Sequence, residues 1–250
     1  MRQAVLLLSL SLCFACSDDP ESTGAPDAGA DLAVKRDGKA AADQKVKPDL
    51  TPADLPRPDM PGPPSCKAGS KTGKTGSTNG LLSSGGIKYN VRVPTSYSAT
   101  QGAPLIMVYA AAGGTADNME PFTGLTVDGN KRGYIVAYVD HVSPNAYNSV
   151  QDIAQIPGEI AKKWCVDTAR IYMTGHSNGG SVIYIMLARN NWYTHYPAAI
   201  APSAAGMSSA AFKQFPCPKT SPPAMVLHSS NDTLFPGFGK DGPYATRAGY

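Results

Sequence analysis

From Ile87 onward, short runs rich in β-branched and aromatic residues alternate with longer segments whose apolar residues follow a helical period. This alternation is typical of βαβ units and predicts an α/β fold with a mostly parallel sheet flanked by helices. Pro157 is poorly suited to a helix interior, so we expect the second helix to kink or to begin later. The predicted strands are Lys88–Val93, Pro104–Ala110, Tyr134–Val139, Ala169–Thr174, Ala198–Pro202 and Ala224–His228. The predicted helices are Ala116–Gly129, Val150–Trp164, Asn178–Arg189 and Ser208–Phe215.

Residues 1–16 have the pattern of an export signal. Arg2 gives a positive start, Ala4–Leu12 are apolar, and the small Ala15 stands just before Cys16. The apolar run is too short to remain as a bilayer-spanning helix. The stretch Leu12–Cys16 resembles a bacterial lipobox, which implies that Cys16 is acylated and anchors an exported lipoprotein to a membrane, in the periplasm or at the cell surface. The alternative is ordinary cleavage near this point and a secreted protein with Cys16 unmodified.

Residues 17–65 separate this signal from the folded part of the chain. They contain no Phe, Trp, Tyr or Ile and are dominated by Pro, Asp, Ala, Lys and Gly. Such a segment cannot bury enough apolar surface to offset the entropy of ordering it, so we expect an extended, disordered tether. Residues 66–250 are then long enough to form one domain around a single core.

The charge balance excludes nucleic acid as an expected partner. The chain has 22 Lys and Arg residues against 19 Asp and Glu residues, and its net charge of +3 is not concentrated into a basic stripe. No motif implies a metal or another cofactor.

If Cys13 leaves with the signal and Cys16 is acylated, three cysteines remain, namely Cys66, Cys165 and Cys217. Two of them are expected to pair in an exported domain, and the sequence does not decide which two.

Gly175-His176-Ser177-Asn178-Gly179 is a Gly-x-Ser-x-Gly pentapeptide. A chain of this composition would contain about 0.2 such matches by chance, so the context decides its meaning. The β-rich run Arg170–Thr174 precedes the motif and the helical run Ser181–Ala188 follows it, which gives a strand, a turn and a helix.

In that context the motif predicts a nucleophilic serine. Ser177 would lie on a sharp turn that presents its hydroxyl above the sheet, and bulky side chains at Gly175 and Gly179 would crowd this turn. The amide of Asn178, at the start of the helix, would face a developing oxyanion. The alternative is an ordinary turn between a strand and a helix.

The stretch Cys165–Gly180 resembles secreted feruloyl and acetylxylan esterases and the related polyhydroxybutyrate depolymerases, and the resemblance extends from about Gly85 to the end of the chain. Pro104–Val108 followed by Gly113–Met119 matches the strand and loop of that family that carry the second oxyanion donor. The resemblance implies an α/β-hydrolase fold and assigns this donor to the amide of Ala112. Where the family has His-Gly before the donor, this chain has two alanines, but an amide donor requires no side chain.

A second block, Ala224–Pro236, is similar to the strand and loop that lead to the catalytic acid of the family, and Asp232 is the matching residue. A carboxylate in a loop after a late strand can hold an imidazole in the required tautomer. The alternative is a turn or capping role of Asp232 within its Asn-Asp-Thr sequence.

The triad of this fold has the chain order Ser, acid, His, yet no histidine follows Asp232. We interpret His176, His195 and His228 as structural, and His141 is the best placed substitute because it follows a strand at the expected carboxyl edge of the sheet. We therefore expect that the last strand, the last helix and the catalytic histidine of the fold are missing from this chain.

Together these features predict an exported serine esterase that cleaves carboxylic esters through an acyl-enzyme on Ser177. Feruloyl or acetyl esters of plant polysaccharide are the first choice of substrate, and polyhydroxyalkanoate esters or peptide bonds are the alternatives. An inactive carbohydrate-binding protein is a further alternative, in which Trp192, Tyr193 and Tyr196 could line a sugar-binding surface.

Overall fold

The computed structural model describes residues 62–189, 195–206, 221–229, 232 and 234, together with the backbone of Leu6–Leu10, Met207–Ser208 and Tyr244–Ala245. The chain divides into two units, one formed by residues 1–17 and 63–250 and the other by residues 18–62. The first unit contains the sheet, the helices and the candidate site.

Strands and helices alternate along this unit. The strands in the described part of the chain are β1 (Leu6–Leu10), β2 (Gly76–Leu82), β3 (Lys88–Val93), β4 (Ala103–Tyr109), β5 (Ile135–Val139), β6 (Val166–His176), β7 (Ala199–Ser203), β8 (Met207–Ser208), β9 (Ala224–His228) and β10 (Tyr244–Ala245). The helices of the same part are α1 (Ala116–Thr123), α2 (Leu125–Lys131), α3 (Tyr147–Ile153), α4 (Ile156–Lys163) and α5 (Asn178–Ala188).

The main sheet has the strand order β1-β9-β7-β6-β4-β5-β3-β2 within the described residues. The run from β9 to β5 is parallel throughout. β3 and β2 extend the sheet in antiparallel fashion beyond β5, and β1 is antiparallel to β9 at the opposite edge. Because the central strands are parallel, their carboxyl ends meet at one edge, which is where open α/β sheets bind their ligands. The predicted mostly parallel sheet flanked by helices is confirmed.

Helices cover both faces of the sheet. On one face, Met107 packs in a cluster with Ile160 of α4 and Ile183 of α5. On the other face, the next residue of the same strand, Val108, packs in a cluster with Met119 of α1. Successive side chains of a strand point to opposite faces, so β4 must be apolar at nearly every position.

Several predicted boundaries match the structure and others do not. The strands Lys88–Val93 and Ala224–His228 have the predicted bounds. The helix predicted over Ala116–Gly129 is two helices, because Gly124 takes a φ of 65° and ends the first of them. The helix predicted over Val150–Trp164 is also two helices, α3 and α4, and Pro157 stands in the first turn of the second, where a missing N–H is tolerated.

Four strands of the described residues were not predicted from the sequence, namely β1, β2, β8 and β10. β2 was not predicted, and Leu6–Leu10, predicted as part of the export signal, pairs with β9. Ser208, predicted to begin a helix, ends the short strand β8, which is paired with β10. The rest of the predicted helix Ser208–Phe215 lies outside the described residues.

A disulfide joins Cys66 to Cys165, with the two Cα atoms 6.0 Å apart and a sequence separation of 99 residues. It connects the start of the domain to the residue before β6, and so resolves the pairing that the sequence left open. Cys217 lies outside the described residues. Across the ranges that the structure describes, no helix is both long and apolar enough to cross a bilayer.

Candidate active site

Ser177 occupies the turn between β6 and α5 in a backbone conformation that L residues rarely adopt, with φ 53° and ψ −123°. Its N–H donates to the carbonyl of Ser203 at 2.9 Å, and its own carbonyl accepts from the N–H groups of Gly180 and Ser181 at 2.9 and 3.0 Å. Its side chain makes no capping hydrogen bond to the helix. Such a conformation persists only where the surrounding structure enforces it, and here it leaves the hydroxyl of Ser177 outside the helix hydrogen bonds.

The glycines of the motif are required by close backbone approach. A Cβ on Gly175 would lie 2.4 Å from the carbonyl carbon of Gly179. A Cβ on Gly179 would lie 2.1 Å from the carbonyl oxygen of Tyr109, at the end of β4. The turn that carries Ser177 therefore packs directly on itself and on the carboxyl end of the neighbouring strand.

The loop after β4 presents a second backbone donor at the same edge. The N–H of Gly114 donates to the carbonyl of Ala111 at 2.8 Å, and Gly113 has a φ of 71°, so residues 111–114 form a tight turn. Ala112 is exposed in this turn, and its N–H has no hydrogen-bond partner within the described part of the chain. Asn178, the first residue of α5, likewise has no intrahelical acceptor for its N–H. The two amides assigned to the oxyanion hole are thus available at the carboxyl edge, next to the positive end of the α5 dipole.

The start of the loop after β5 holds the loop of residues 110–115 in place, which we name the oxyanion loop after the role that the sequence predicts for Ala112. The Asp140 carboxylate accepts from the N–H of Ala116 at 2.6 Å, and the N–H of His141 donates to the carbonyl of Gly114 at 3.2 Å. The Nε2 atom of His141 lies 3.2 Å from the amide nitrogen of the Asn178 side chain. His141 therefore contacts both the oxyanion loop and the first residue of α5.

Ion pairs anchor α1, the helix that follows the oxyanion loop, to β3. The Arg92 guanidinium donates two hydrogen bonds from Nε and Nη2 to the Glu120 carboxylate, the closer at 2.6 Å, and Thr126 donates to the same carboxylate. Burial alone would raise the pKa of Glu120, but the hydrogen bonds from Arg92 and Thr126 outweigh it and hold this pKa below its ordinary value. The exposed Lys88–Asp117 pair adds a second link at 2.6 Å.

His176, next to Ser177 in the chain, contacts residues other than Ser177. The ring of His176 packs against Phe122 at a centroid distance of 5.6 Å, and its Nδ1 atom lies 3.5 Å from the hydroxyl of Ser203. It lines an apolar cavity of about 960 Å³ on the α1 and α2 side of the sheet. Among the described residues, no hydrogen bond joins the hydroxyl of Ser177 to the imidazole of a histidine.

Asp232 has one contact that the sequence suggested and one that it did not. One carboxylate oxygen accepts from the N–H of Leu234 at 2.9 Å, which is the turn role that the sequence left open. The other lies 3.7 Å from Nε2 of His228, whose side chain is 5% exposed. The sequence predicts a histidine later in the chain as the partner of Asp232, so the approach of His228 to Asp232 is a finding of the structure.

The described structure offers neither a tyrosine base nor a metal site beside Ser177. Burial raises the pKa of the Tyr109 phenol, which therefore stays neutral and does not serve as a base at neutral pH. No group of three or more His, Cys, Asp or Glu side chains within the described ranges is arranged to hold a metal ion. Cys16, Trp192 and Tyr193 lie outside the described residues.

A mostly parallel sheet with a strained serine between a central strand and the following helix, at the carboxyl edge, is the arrangement of the α/β-hydrolase fold. No family model and no curated protein sequence matches the chain.

Solved structures with weak similarity include an acetyl xylan esterase from Aspergillus awamori, with 16% identity over 48% of this chain and 47% of that chain and a TM-score of 0.41. A fluorophosphonate-binding serine hydrolase from Staphylococcus aureus has 15% identity over 54% of this chain and 58% of that chain, with a TM-score of 0.43. An S-formylglutathione hydrolase from the same organism has 15% identity over 56% of this chain and 60% of that chain, with a TM-score of 0.44. The chain thus spans about half the length of these structures. Similarity this weak does not support a function. The argument for function therefore rests on the geometry of this chain.

Proposed function

We propose that this protein is a serine hydrolase that cleaves carboxylic esters through an acyl-enzyme on Ser177. The observation that carries this proposal is the φ of 53° at a serine between the central strand β6 and helix α5. A turn with no chemical role would be filled at lower strain by glycine, so a serine at this position points to a use for its hydroxyl.

The proposed reaction begins with attack of Ser177 Oγ on the ester carbonyl carbon while the hydroxyl proton passes to an imidazole. The carbonyl oxygen becomes an oxyanion that accepts hydrogen bonds from the N–H groups of Asn178 and Ala112. The tetrahedral intermediate then collapses, the C–O bond to the alcohol breaks, and the alcohol leaves with the proton from the imidazole. Water repeats the sequence on the acyl-enzyme, releases the acid and restores Ser177.

Asp232 is proposed to hold the imidazole that takes this proton in the correct tautomer. In the described structure the imidazole within reach of Asp232 is that of His228, at 3.7 Å. This imidazole is not hydrogen bonded to Ser177. Proton transfer through Asp232 and His228 therefore requires a movement of His228 towards Ser177.

Feruloyl or acetyl esters of plant polysaccharide are the proposed substrates, on the basis of the resemblance of Cys165–Gly180 to esterases of that kind. Polyhydroxyalkanoate esters and peptide bonds are the competing substrates. Rates with feruloyl, acetyl and hydroxybutyrate esters and with a peptide amide, measured side by side, separate them. Fastest turnover of the peptide amide would contradict the ester assignment.

The second candidate is a carbohydrate-binding protein that has the fold of a hydrolase without its activity. It is favoured by the finding that no imidazole among the described residues is hydrogen bonded to Ser177. It predicts retention of the protein on xylan in pull-down experiments together with no covalent reaction at Ser177.

The decisive experiment is covalent labelling with a fluorophosphonate, followed by identification of the modified peptide by mass spectrometry. We expect phosphonylation of Ser177 and loss of the label in Ser177→Ala. Ser98→Ala is the matched control, because Ser98 is a half-buried serine in the loop after β3 whose hydroxyl lies 3.1 Å from that of Thr100, and its removal should leave labelling unchanged. Labelling of another serine, or none at all in the full-length protein, would refute the proposal.

We propose in addition that the protein is exported and lipidated at Cys16. The support comes from the sequence of residues 1–16 and from the Cys66–Cys165 disulfide, since stable disulfides form in oxidising compartments. Labelled palmitate should enter the wild-type protein, and Cys16→Ser should abolish its incorporation and release the protein from the membrane. Unchanged membrane retention of the variant would contradict lipidation.

A further inference from the structure

His141 lies at the junction of the two loops that carry the proposed oxyanion donors. It follows β5 by two positions and is half-buried at the carboxyl edge of the sheet. Its main chain donates to the carbonyl of Gly114, at the end of the tight turn that presents the Ala112 amide. Its ring faces the side chain of Asn178, the residue whose amide is the other proposed donor.

The contact between the ring and Asn178 is a polar one with defined geometry. Nε2 of His141 and Nδ2 of Asn178 are 3.2 Å apart, and the two residues are separated by 37 positions in the chain. An amide nitrogen is a donor only, so this contact is a hydrogen bond when Nε2 of a neutral His141 accepts, which is the tautomer with its proton on Nδ1. An Nε2 atom that accepts from Asn178 is not at the same time the base for Ser177.

The other side of the oxyanion loop is held independently of this ring. Asp140 binds the N–H of Ala116 at 2.6 Å, and Arg92 and Glu120 fix α1 to β3. The loop is therefore anchored at its α1 end. The backbone of Gly179 already packs on the end of β4, and the side chain of His141 adds a polar link between this loop and the side chain of Asn178.

We propose that His141 is a positioning residue for the oxyanion hole, which fixes the amide of Asn178 relative to the amide of Ala112 through its contact with the Asn178 side chain. This assignment rests on the proposed function, since it describes how the ester-cleaving site is assembled. It differs from the role of a general base, in which His141 would take the proton of Ser177 directly.

The expected size of the effect follows from the geometry that such a site requires. Misplacement of a catalytic group by about 1 Å can cost about 100-fold in rate. Removal of one oxyanion donor costs about 100- to 1000-fold. Loosening one donor without removing it should therefore lower kcat by about 10- to 100-fold, and KM should change little, because the oxyanion forms only in the transition state.

A double-mutant cycle tests the proposal on the full chain. His141→Ala and Asn178→Ala each remove one side chain of the contact, and the second retains its backbone amide. We expect each to lower kcat for ester hydrolysis, and the rate constant of Ser177 phosphonylation, by about 10- to 100-fold. The double variant should be no slower than the slower single variant. His141→Gln offers an amide oxygen to the Asn178 side chain and should recover most of the rate, whereas His195→Ala, away from this contact, should match the wild type.

Three outcomes would overturn the proposal. Additive losses in the double variant would mean that the two side chains do not act through one contact. A His141→Gln variant as slow as His141→Ala would indicate that the imidazole itself does the chemistry. Losses that follow the thermal stability of the variants, with kcat per folded molecule unchanged, would show a merely structural role.

Three further results are also decisive. Should His141→Ala fail to fold, Asn178→Ala and His141→Gln carry the same test, because the first should lose rate and the second should keep it. A wild-type protein that neither hydrolyses esters nor reacts with the fluorophosphonate refutes the proposed function itself and the positioning role with it. Normal reactivity of the wild type combined with normal reactivity of all the variants refutes the positioning role alone.

Discussion

Replacement of Ser177 by glycine should stabilise the protein while it abolishes the reaction. The residue has φ 53° and ψ −123°, a region that is costly for any side chain with a Cβ. The main-chain hydrogen bonds to Ser203, Gly180 and Ser181 do not involve the side chain, which makes no capping hydrogen bond. The substitution therefore removes backbone strain and a hydroxyl, and keeps the contacts that hold the turn.

The magnitude follows from two opposing terms. A residue held in such a conformation costs about 1 to 3 kcal/mol. Glycine is more flexible in the unfolded chain, which lowers stability by about 0.4 to 1 kcal/mol. The net gain in the free energy of unfolding should be about 1 kcal/mol, which corresponds to a rise in Tm of about 2 to 4 °C for a domain of this size.

Thermal unfolding followed by circular dichroism measures the effect, with Ser177→Ala as the control. Alanine keeps the Cβ and the strain, so its Tm should be close to that of the wild type while its activity is equally lost. Ala204 is the other described non-glycine residue with positive φ, at 44°, and Ala204→Gly should give a comparable rise. A Ser177→Gly variant whose Tm is equal to or below that of Ser177→Ala would refute the strain argument.

Three other substitutions have defined expected outcomes. Gly179→Ala places a Cβ 2.1 Å from the carbonyl oxygen of Tyr109, so urea denaturation should show a loss of at least about 1 to 3 kcal/mol, and a variant as stable as the wild type would contradict the close packing of the turn. Cys66→Ser opens a crosslink with a sequence separation of 99 residues, which by chain entropy contributes about 4.7 kcal/mol, so its denaturation midpoint should fall to that of the reduced wild type. Burial raises the pKa of Glu120, but the hydrogen bonds from Arg92 and Thr126 and the charge of Arg92 together outweigh it and lower this pKa from 4.5, so the stabilising contribution of Glu120 is complete above pH 4.5 and is lost as the pH falls through the lowered value. In Glu120→Gln, the free energy of unfolding should therefore fall less steeply as the pH is lowered below 4.5. An unchanged dependence on pH would show that this carboxylate does not contribute to it.

The central strands could be predicted from the local sequence. Both faces of these strands are buried, so their residues are apolar at consecutive positions. Every residue of Ile135–Val139 is buried, and such a run has few alternatives in a domain of this size. β2 was missed because only two of its seven residues are apolar and most of its side chains are exposed, so its pairing with β3 is what makes it a strand. The break at Gly124 was missed since the hydrophobic pattern continues across it, whereas its φ of 65° ends the helix.

The candidate site divides in the same way. The turn at Ser177 was predictable, because glycines and the adjoining strand and helix are all local signals. His141 and Asn178 are 37 positions apart, and the two cysteines of the disulfide are 99 positions apart. The pattern of apolar and polar residues around each position does not indicate contacts at such separations. The approach of His228 to Asp232 was not predicted, because the chain order of the triad places the histidine after the acid.

The disulfide between Cys66 and Cys165 also determines how mechanical force enters the domain. A pull on the chain before Cys66 passes through the sulfur bridge to Cys165, directly before β6, and does not load the residues between the two cysteines. Those residues include β2 to β5 and the oxyanion loop, which lie within a covalently closed segment. A pull applied just before Cys66 therefore reaches β6 first along the covalent chain, and it cannot lengthen the backbone between the two cysteines while the disulfide is intact.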